Sequence, residues 1–238
     1  AALSSALVHD WLVDSGGAEA VLRHFLRLFP HAPLYTLFYH PNWKKEFPHT
    51  TFYASYLQRF PAITRLYRNL LPLFPRAVES LHPKEDWVIS NSHSVAKGVI
   101  PRADAFHICY CYTPMRYAWD LEEEYLKSLL PGVRTLAGSY LHRLREWDVS
   151  ASHRVDLFLA VSGFVAKRIE KYYRRESRVI YPPVDVEFFH PSADGKREDY
   201  FLVVSRLVPY KRIDVAITAA KEAGVRLKIV GTGPQEGV

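Results

Sequence analysis

Cysteine is scarce: the chain has two, Cys109 and Cys111, among 238 residues. Two thiols cannot build a disulfide framework or complete a four-thiolate zinc site, and a reducing, cytoplasmic setting fits them best. No run of about eighteen apolar residues is present, which argues against a spanning helix. The opening stretch, AALSSALVHDWL, has no basic flank before its short apolar run, which predicts no secretory signal. The histidines show neither HExxH nor a Cys/His metal spacing, and no Gly-x-Ser-x-Gly elbow occurs. Low apolar content and blocks of like charge, the marks of a disordered chain, are absent. So are short repeats and low-complexity tracts.

What is present is the composition of a globular protein, 48% hydrophobic and 24% charged. The length suits one large domain or two small ones. Net charge is +6 and aromatics make up 14%. That excess points to anionic partners such as phosphates, nucleotides, lipid head groups or nucleic acid. A basic surface kept for solubility would look the same, and no recognised nucleic-acid motif accompanies the charge.

Along the chain, apolar runs and helical periodicity alternate. A strand at Leu7-Val8 leads through Ser15-Gly16-Gly17-Ala18-Glu19 into a helix carrying Val21, Leu22, Phe25, Leu26, Leu28 and Phe29, stopped by Pro30. A second strand is expected at Pro33–Tyr39, residues 41–54 read as irregular, and Tyr56–Phe74 reads as an amphipathic helix interrupted by Pro61 and Pro72. Further strands are expected at Trp87–Ser90, Phe106–Tyr112, Leu157–Ser162 and Arg178–Tyr181. Turn and helix mix over Pro114–Leu130, and helices are expected at Arg134–Ser152 and Phe164–Tyr173. After a polar, turn-rich stretch the pattern restarts: strand Tyr200–Ser205, helix Ile213–Ala223, strand Arg226–Val230. Such alternation predicts a parallel α/β sheet, with short strands apolar enough to be covered on both faces. The final strand–helix–strand cannot bury both faces of its strands by itself.

Several clusters could carry chemistry. Gly16-Gly17 lets a ligand approach the backbone, and the helix that follows offers its N–H groups to an anion; a bare tight turn would use the same residues. Arg206 lies just past a strand end, where α/β folds place ligands, and Lys211 opens the next helix. A planar fork plus a point charge suits a pyrophosphate, although a solvated basic loop has the same composition. Past Cys109 and Cys111, which share a strand face and read as small core residues, Tyr112, Arg116, Tyr117, Trp119 and Asp120 crowd together. Aromatics with a few polar groups serve sugar and nucleobase surfaces, and also pack cores. On the Tyr56–Phe74 wheel, Leu57, Phe60, Ile63, Leu66, Tyr67, Leu70, Leu71 and Phe74 share a face opposite Arg65, Arg68 and Arg76. That pattern fits an anionic membrane surface or a helix facing its own core. His9 beside Asp10 is either a site pair or a hydrogen-bonded structural feature.

Together these segments resemble a family. His9-Asp10-Trp11-Leu12 with Gly16-Gly17-Ala18-Glu19 is similar to the opening of family 4 glycosyltransferases. Thr113-Pro114-Met115-Arg116-Tyr117-Ala118-Trp119-Asp120, Ala160-Val161-Ser162 and Tyr181-Pro182-Pro183-Val184-Asp185 resemble its mannosyltransferase-like branch. Ser205-Arg206 through Lys211-Arg212-Ile213-Asp214 resembles the donor pyrophosphate site. The match runs in order over nearly the whole chain.

The resemblance implies the two-domain GT-B fold. Residues 1–186 would form an acceptor-side Rossmann-like domain with helices on both faces of its parallel sheet, 187–199 a linker, and 200–238 the start of a donor-binding Rossmann-like domain. It implies a retaining, metal-independent transfer of a sugar from a nucleotide donor such as GDP-mannose, with no resident cofactor, to a glycan or lipid-linked acceptor. By the same resemblance Arg206 and Lys211 are catalytic and hold the leaving diphosphate, joined there by Gly16 and Gly17. Asp10, Glu19, Tyr112 and Arg116 would bind acceptor or sugar. Relatives in this branch commonly have His where this chain has Tyr112, a phenol that can still donate a hydrogen bond. The family's later acidic motif is not in the sequence. The alternative expectation is a non-catalytic acceptor- or membrane-binding module that needs a separate donor domain. The open second unit would then self-associate or take a partner chain.

Overall fold

The computed structural model describes residues 3–127, 129–191, 195 and 197–237. It divides into two compact units, Ala1–Pro183 and Val184–Val238. Of the expected linker, Ser192, Ala193, Asp194 and Lys196 lie outside the described residues.

In the first unit the described strands are β1 (Ser5–His9), β2 (Leu34–Thr36), β3 (Phe52–Ala54), β4 (Trp87–Ser92), β5 (Phe106–Cys111), β6 (Leu157–Ala160) and β7 (Ser177–Val179). They form one sheet in the order β3-β2-β1-β4-β5-β6-β7, and every pairing is parallel. The helices are α1 (Gly17–Leu28), α2 (Pro41–Glu46), α3 (Ile63–Leu66), α4 (Phe74–Glu79), α5 (Arg116–Trp119), α6 (Glu122–Lys127), α7 (Pro131–Ser152) and α8 (Gly163–Tyr173). This is the parallel α/β sheet that the alternating pattern predicted, in the Rossmann-like form that the family resemblance implied.

Successive side chains on a strand serve opposite faces, and the sequence supplies apolar groups to both. Ala6 and Val8 join Phe74, Val78, Leu141 and Leu144 on one side. Leu7 joins Leu22, Leu26 and Trp43 on the other. Each fully buried aliphatic side chain contributes about 2 kcal/mol. Cys109 and Cys111 are free thiols, buried with Phe158, Ile169 and Tyr173.

Two local expectations are corrected. Residues 41–54 hold α2 and the edge strand β3. Pro41 suits the first turn of a helix, and His40 caps it by accepting the Asn42 N–H. Residues 56–74 form no continuous helix. They break into a 3-10 turn at Tyr56–Arg59, α3, a second 3-10 stretch at Tyr67–Leu73 and the start of α4, because Pro61 and Pro72 deny backbone donors and crowd the preceding turn. No helix among the described residues is long and apolar enough to cross a membrane.

The second unit holds β8 (Phe201–Val204), α9 (Ile213–Ala223) and β9 (Leu227–Val230). Its two strands pair in parallel. Phe201, Leu202, Val204 and Val230 remain more than half exposed.

Candidate active site at the sheet switch point

The sheet order places β2 and β3 on one side of β1 and β4 to β7 on the other. Chain direction across the sheet therefore reverses between β1 and β4, and ligands in open α/β sheets bind outside the carboxyl ends of the strands at such a point. His9 at the end of β1 stands opposite Asn91 near the end of β4. His9, Asp10, Thr36, Asn91, Ser92 and Ser94 are all buried there.

Asp10 organises the gap. Its Oδ2 accepts the His93 N–H at 2.7 Å and the Ser94 N–H at 3.0 Å, and its Oδ1 accepts the Ala96 N–H at 2.6 Å. The His93 ring adds Nδ1 at 2.9 Å. Burial alone would raise the Asp10 carboxyl, but the charge and hydrogen bond of His93, with His9 nearby, outweigh it and hold Asp10 well below 3.8. For His93 burial lowers the imidazole, and Asp10 and Glu19 win against it and against Lys97, lifting it above 6.5.

α1 enters the same gap. Glu19 accepts the Gly16 N–H at 2.8 Å, half of a capping box that fixes the helix start. Its other oxygen lies 3.5 Å from His9 Nε2. Burial opposes ionisation of Glu19, yet His9 and the Gly16 N–H keep its carboxyl below 4.5. Gly16 and Gly17 are exposed. Both ring nitrogens of His9, His93 Nδ1 and Asn91 Oδ1 are buried without a well-formed hydrogen bond among the described residues, although His9 Nε2 and His93 Nδ1 each face a carboxylate. Orphaned buried polar atoms call for an explanation, and at a switch point a ligand site provides one.

The aromatic cluster after β5 divides. Tyr112 donates to Ala18 O at 3.2 Å, beside Asn91 Nδ2 donating to the same carbonyl. Burial raises the Tyr112 phenol, so it stays protonated as that donor. Tyr117 shares a 2.7 Å hydrogen bond with Ser94 Oγ. Trp119 and Asp120 turn to α8, where Trp119 stacks on Tyr172 and Asp120 pairs with Arg168. Arg116, at the start of α5, is exposed.

Beneath the His93 loop, Lys97 is buried. Its Nζ donates to Ser94 O at 2.8 Å and pairs with Asp148 of α7. Trp119 Nε1 and Tyr173 OH both donate to Asp148 Oδ2 at 2.8 Å. One buried carboxylate thus ties the loop after β4 to α5, α7 and α8. His93, Asn91, Ser94 and Lys97 went unnoticed as site residues in the sequence. The signal available was the polar run Asn91-Ser92-His93-Ser94 at the end of an apolar strand.

In the second unit, Arg206 and Lys211 lie in the exposed loop between β8 and α9. Lys211 Nζ stands 5.9 Å over the Tyr210 ring, and Arg212 pairs with Asp214 at 3.0 Å. The Gly231–Gly233 segment packs on this loop: Leu207 N donates to Thr232 O and Gln235 N to Leu207 O. Among the described residues no group of three or more His, Cys, Asp or Glu side chains could hold a metal ion.

A parallel Rossmann-like sheet with a polar gap at its switch point defines an open, doubly wound α/β protein. The sequence model of glycosyltransferase family 4 matches residues 15–188, and the chain belongs to that family. Solved structures share the fold. Anabaena HepE in complex with UDP aligns with 98% of this chain and 70% of its own length, at 14% identity and a TM-score of 0.57. Anabaena HepE with UDP and glucose aligns with 97% of this chain and 61% of its own, at 16% identity and the same TM-score of 0.57. This chain therefore spans roughly two thirds of those proteins. Among curated protein sequences none matches.

Proposed function

We propose that the chain is the acceptor-side unit and the opening of the donor-side unit of a retaining, metal-independent glycosyltransferase. It would move a hexose from a nucleoside-diphosphate sugar to a glycan or lipid-linked acceptor on the cytoplasmic side of a membrane. The observation that carries this is the polar gap at the switch point of a family 4 sheet. Arg206 and Lys211 would neutralise the charge that builds on the diphosphate as the glycosidic C–O bond breaks. Gly16 and Gly17 would let a phosphate approach the backbone at the start of α1. Asp10, Glu19, Tyr112 and Arg116 line or organise the acceptor side, and the buried Asp10 acts through what it holds. The mannosyltransferase-like motifs favour GDP-mannose, and the UDP and glucose of HepE favour UDP-glucose.

The test is calorimetric titration of GDP, GDP-mannose, UDP and UDP-glucose into the chain and its Arg206→Ala and Lys211→Ala variants. One nucleotide should bind selectively, and each variant should weaken it at least tenfold. Binding of no nucleotide would instead favour the reading as a binding module completed by a partner chain, which the apolar surface of β8 and β9 would suit.

Peripheral membrane contact belongs to the same proposal. Phe60 and Leu66 are 42% and 51% exposed among the exposed Arg59, Arg65, Arg68 and Arg76. Co-sedimentation with phosphatidylglycerol vesicles should fall on Phe60→Ser/Leu66→Ser substitution. Equal sedimentation of wild type and variant would sink the idea.

A further inference from the structure

The Asp10–His93 pair has a free end. His93 Nδ1 faces Asp10 Oδ2 at 2.9 Å; an ionised carboxylate only accepts, so Nδ1 is the nitrogen that carries a proton there, and whenever the ring is neutral its lone pair lies on Nε2. The His93 side chain is 28% exposed, and Nε2 has no hydrogen-bond partner among the described residues. The ring cannot easily turn. Trp11 meets it edge-on at 4.7 Å between centroids, and the His9 ring lies at 6.1 Å. The loop that carries it is pinned from both sides, by Asp10 on the His93, Ser94 and Ala96 N–H groups and by Lys97 on Ser94 O. A group held this firmly by packing and surrounding hydrogen bonds is preorganised for a ligand.

Its charge surroundings choose the ligand. Two carboxylates, Asp10 and Glu19, stand by the ring and would repel a phosphate at that spot. An uncharged hydroxyl meets no such penalty and donates to the Nε2 lone pair. Resting on the glycosyltransferase reading above, we propose that His93 Nε2, with the ring in its neutral state, accepts a hydrogen bond from a sugar hydroxyl of the acceptor, with Asp10 as its positioning residue. The site is the mouth of the gap between β1 and β4, with Trp11 as the neighbouring aromatic wall.

The full chain, labelled with 15N and 13C in histidine, gives the test by NMR, with His93→Gln assigning the ring signals. Neutral His93 should be the Nδ1–H tautomer in the wild type, and Asp10→Asn should remove that preference. The wild-type tautomer decides this point even if the Asp10 variant unfolds; an Nε2–H tautomer overturns the proposal. The probes are the methyl glycosides of glucose, mannose, galactose and N-acetylglucosamine, with inorganic pyrophosphate as the anionic arm. At least one glycoside should move the His93 Nε2 resonance, and His93→Gln should weaken its binding at least tenfold while leaving nucleotide affinity unchanged. A glycoside that binds His93→Gln as tightly as wild type, a response to pyrophosphate alone, or no response to any glycoside overturns it. Nucleotide binding with a silent His93 defeats this inference alone. Failure of nucleotides and glycosides together defeats the glycosyltransferase reading with it.

Discussion

His93 Nδ1 and Asp10 Oδ2, 83 residues apart in sequence, stand 2.9 Å apart across the gap between β4 and β1. The pair gives stability a defined pH window. Asp10 is depressed below 3.8, so its contribution is present above that value and is lost as pH falls through its lower folded value. His93 is raised above 6.5, so its contribution is complete below 6.5 and is lost as pH rises through its higher folded value. Asp10→Asn should therefore cost most between these limits, about 3 kcal/mol. Urea unfolding at about pH 5 and about pH 9 reads it, and the gap between wild type and variant should be smaller at the higher pH.

A second histidine works in the opposite sense. His107 is buried, with Nε2 2.9 Å from Ser90 Oγ and Nδ1 3.3 Å from Arg154 O. Burial lowers it to about 4, more than the Arg154 carbonyl and Asp156 raise it. The unfolded chain takes up the proton first, so stability drops as pH falls from 6.5 to about 4, by about 3 kcal/mol in all. His107→Gln should flatten that limb of the stability curve. A variant that keeps the full slope would place the titration elsewhere.

The Lys97–Asp148 ion pair predicts an asymmetry. Lys97→Met leaves a buried carboxylate facing only the Trp119 and Tyr173 donors, and loss of one member of a buried pair costs about 3–5 kcal/mol. Adding Asp148→Asn removes the stranded charge and should restore part of that loss. A double variant no more stable than Lys97→Met in chemical denaturation would show that the charge is not what makes the single change costly.

Much of this was legible in the sequence, and the exceptions have causes. β1, β2, β4 to β9 and the helices α1, α7, α8 and α9 announce themselves because apolar runs meet local punctuation: Gly16 and Pro30 around α1, or Ser162, whose Oγ accepts the Val165 N–H. α2 hides because Trp43 is its one buried residue, which leaves no periodicity to read. β3 hides because it is a three-residue edge strand. In the site, Gly16, Glu19 and Asp10 were visible as a motif close in sequence. His93 was not, since its meaning comes from a partner brought alongside only when β4 pairs with β1. Trp119 and Asp120 look like binding residues in the sequence; in the structure Trp119 stacks on Tyr172 of α8 and donates to Asp148 of α7, and Asp120 pairs with Arg168 of α8.

Gly231 tests the loop between β8 and α9 without touching its charges. A Cβ on Gly231 would fall on the carbonyl oxygen of Ser205, and one on Gly233 would meet the Leu207 carbonyl. Both obstacles are backbone, so the strand cannot yield by a side-chain rotation. Gly231→Ala must push Ser205 away and with it Arg206, the next residue. If Arg206 holds a diphosphate, the substitution should weaken nucleotide binding by about tenfold or more, since a displacement of about 1 Å is enough to spoil such geometry. Gly237→Ala, where a Cβ meets nothing within 4 Å, should leave binding unchanged and serves as the control. Calorimetry on both variants, with circular dichroism to confirm that the fold persists, decides the matter. Equal nucleotide affinity in Gly231→Ala and Gly237→Ala would mean that the Ser205–Leu207 loop does not set the position of the diphosphate.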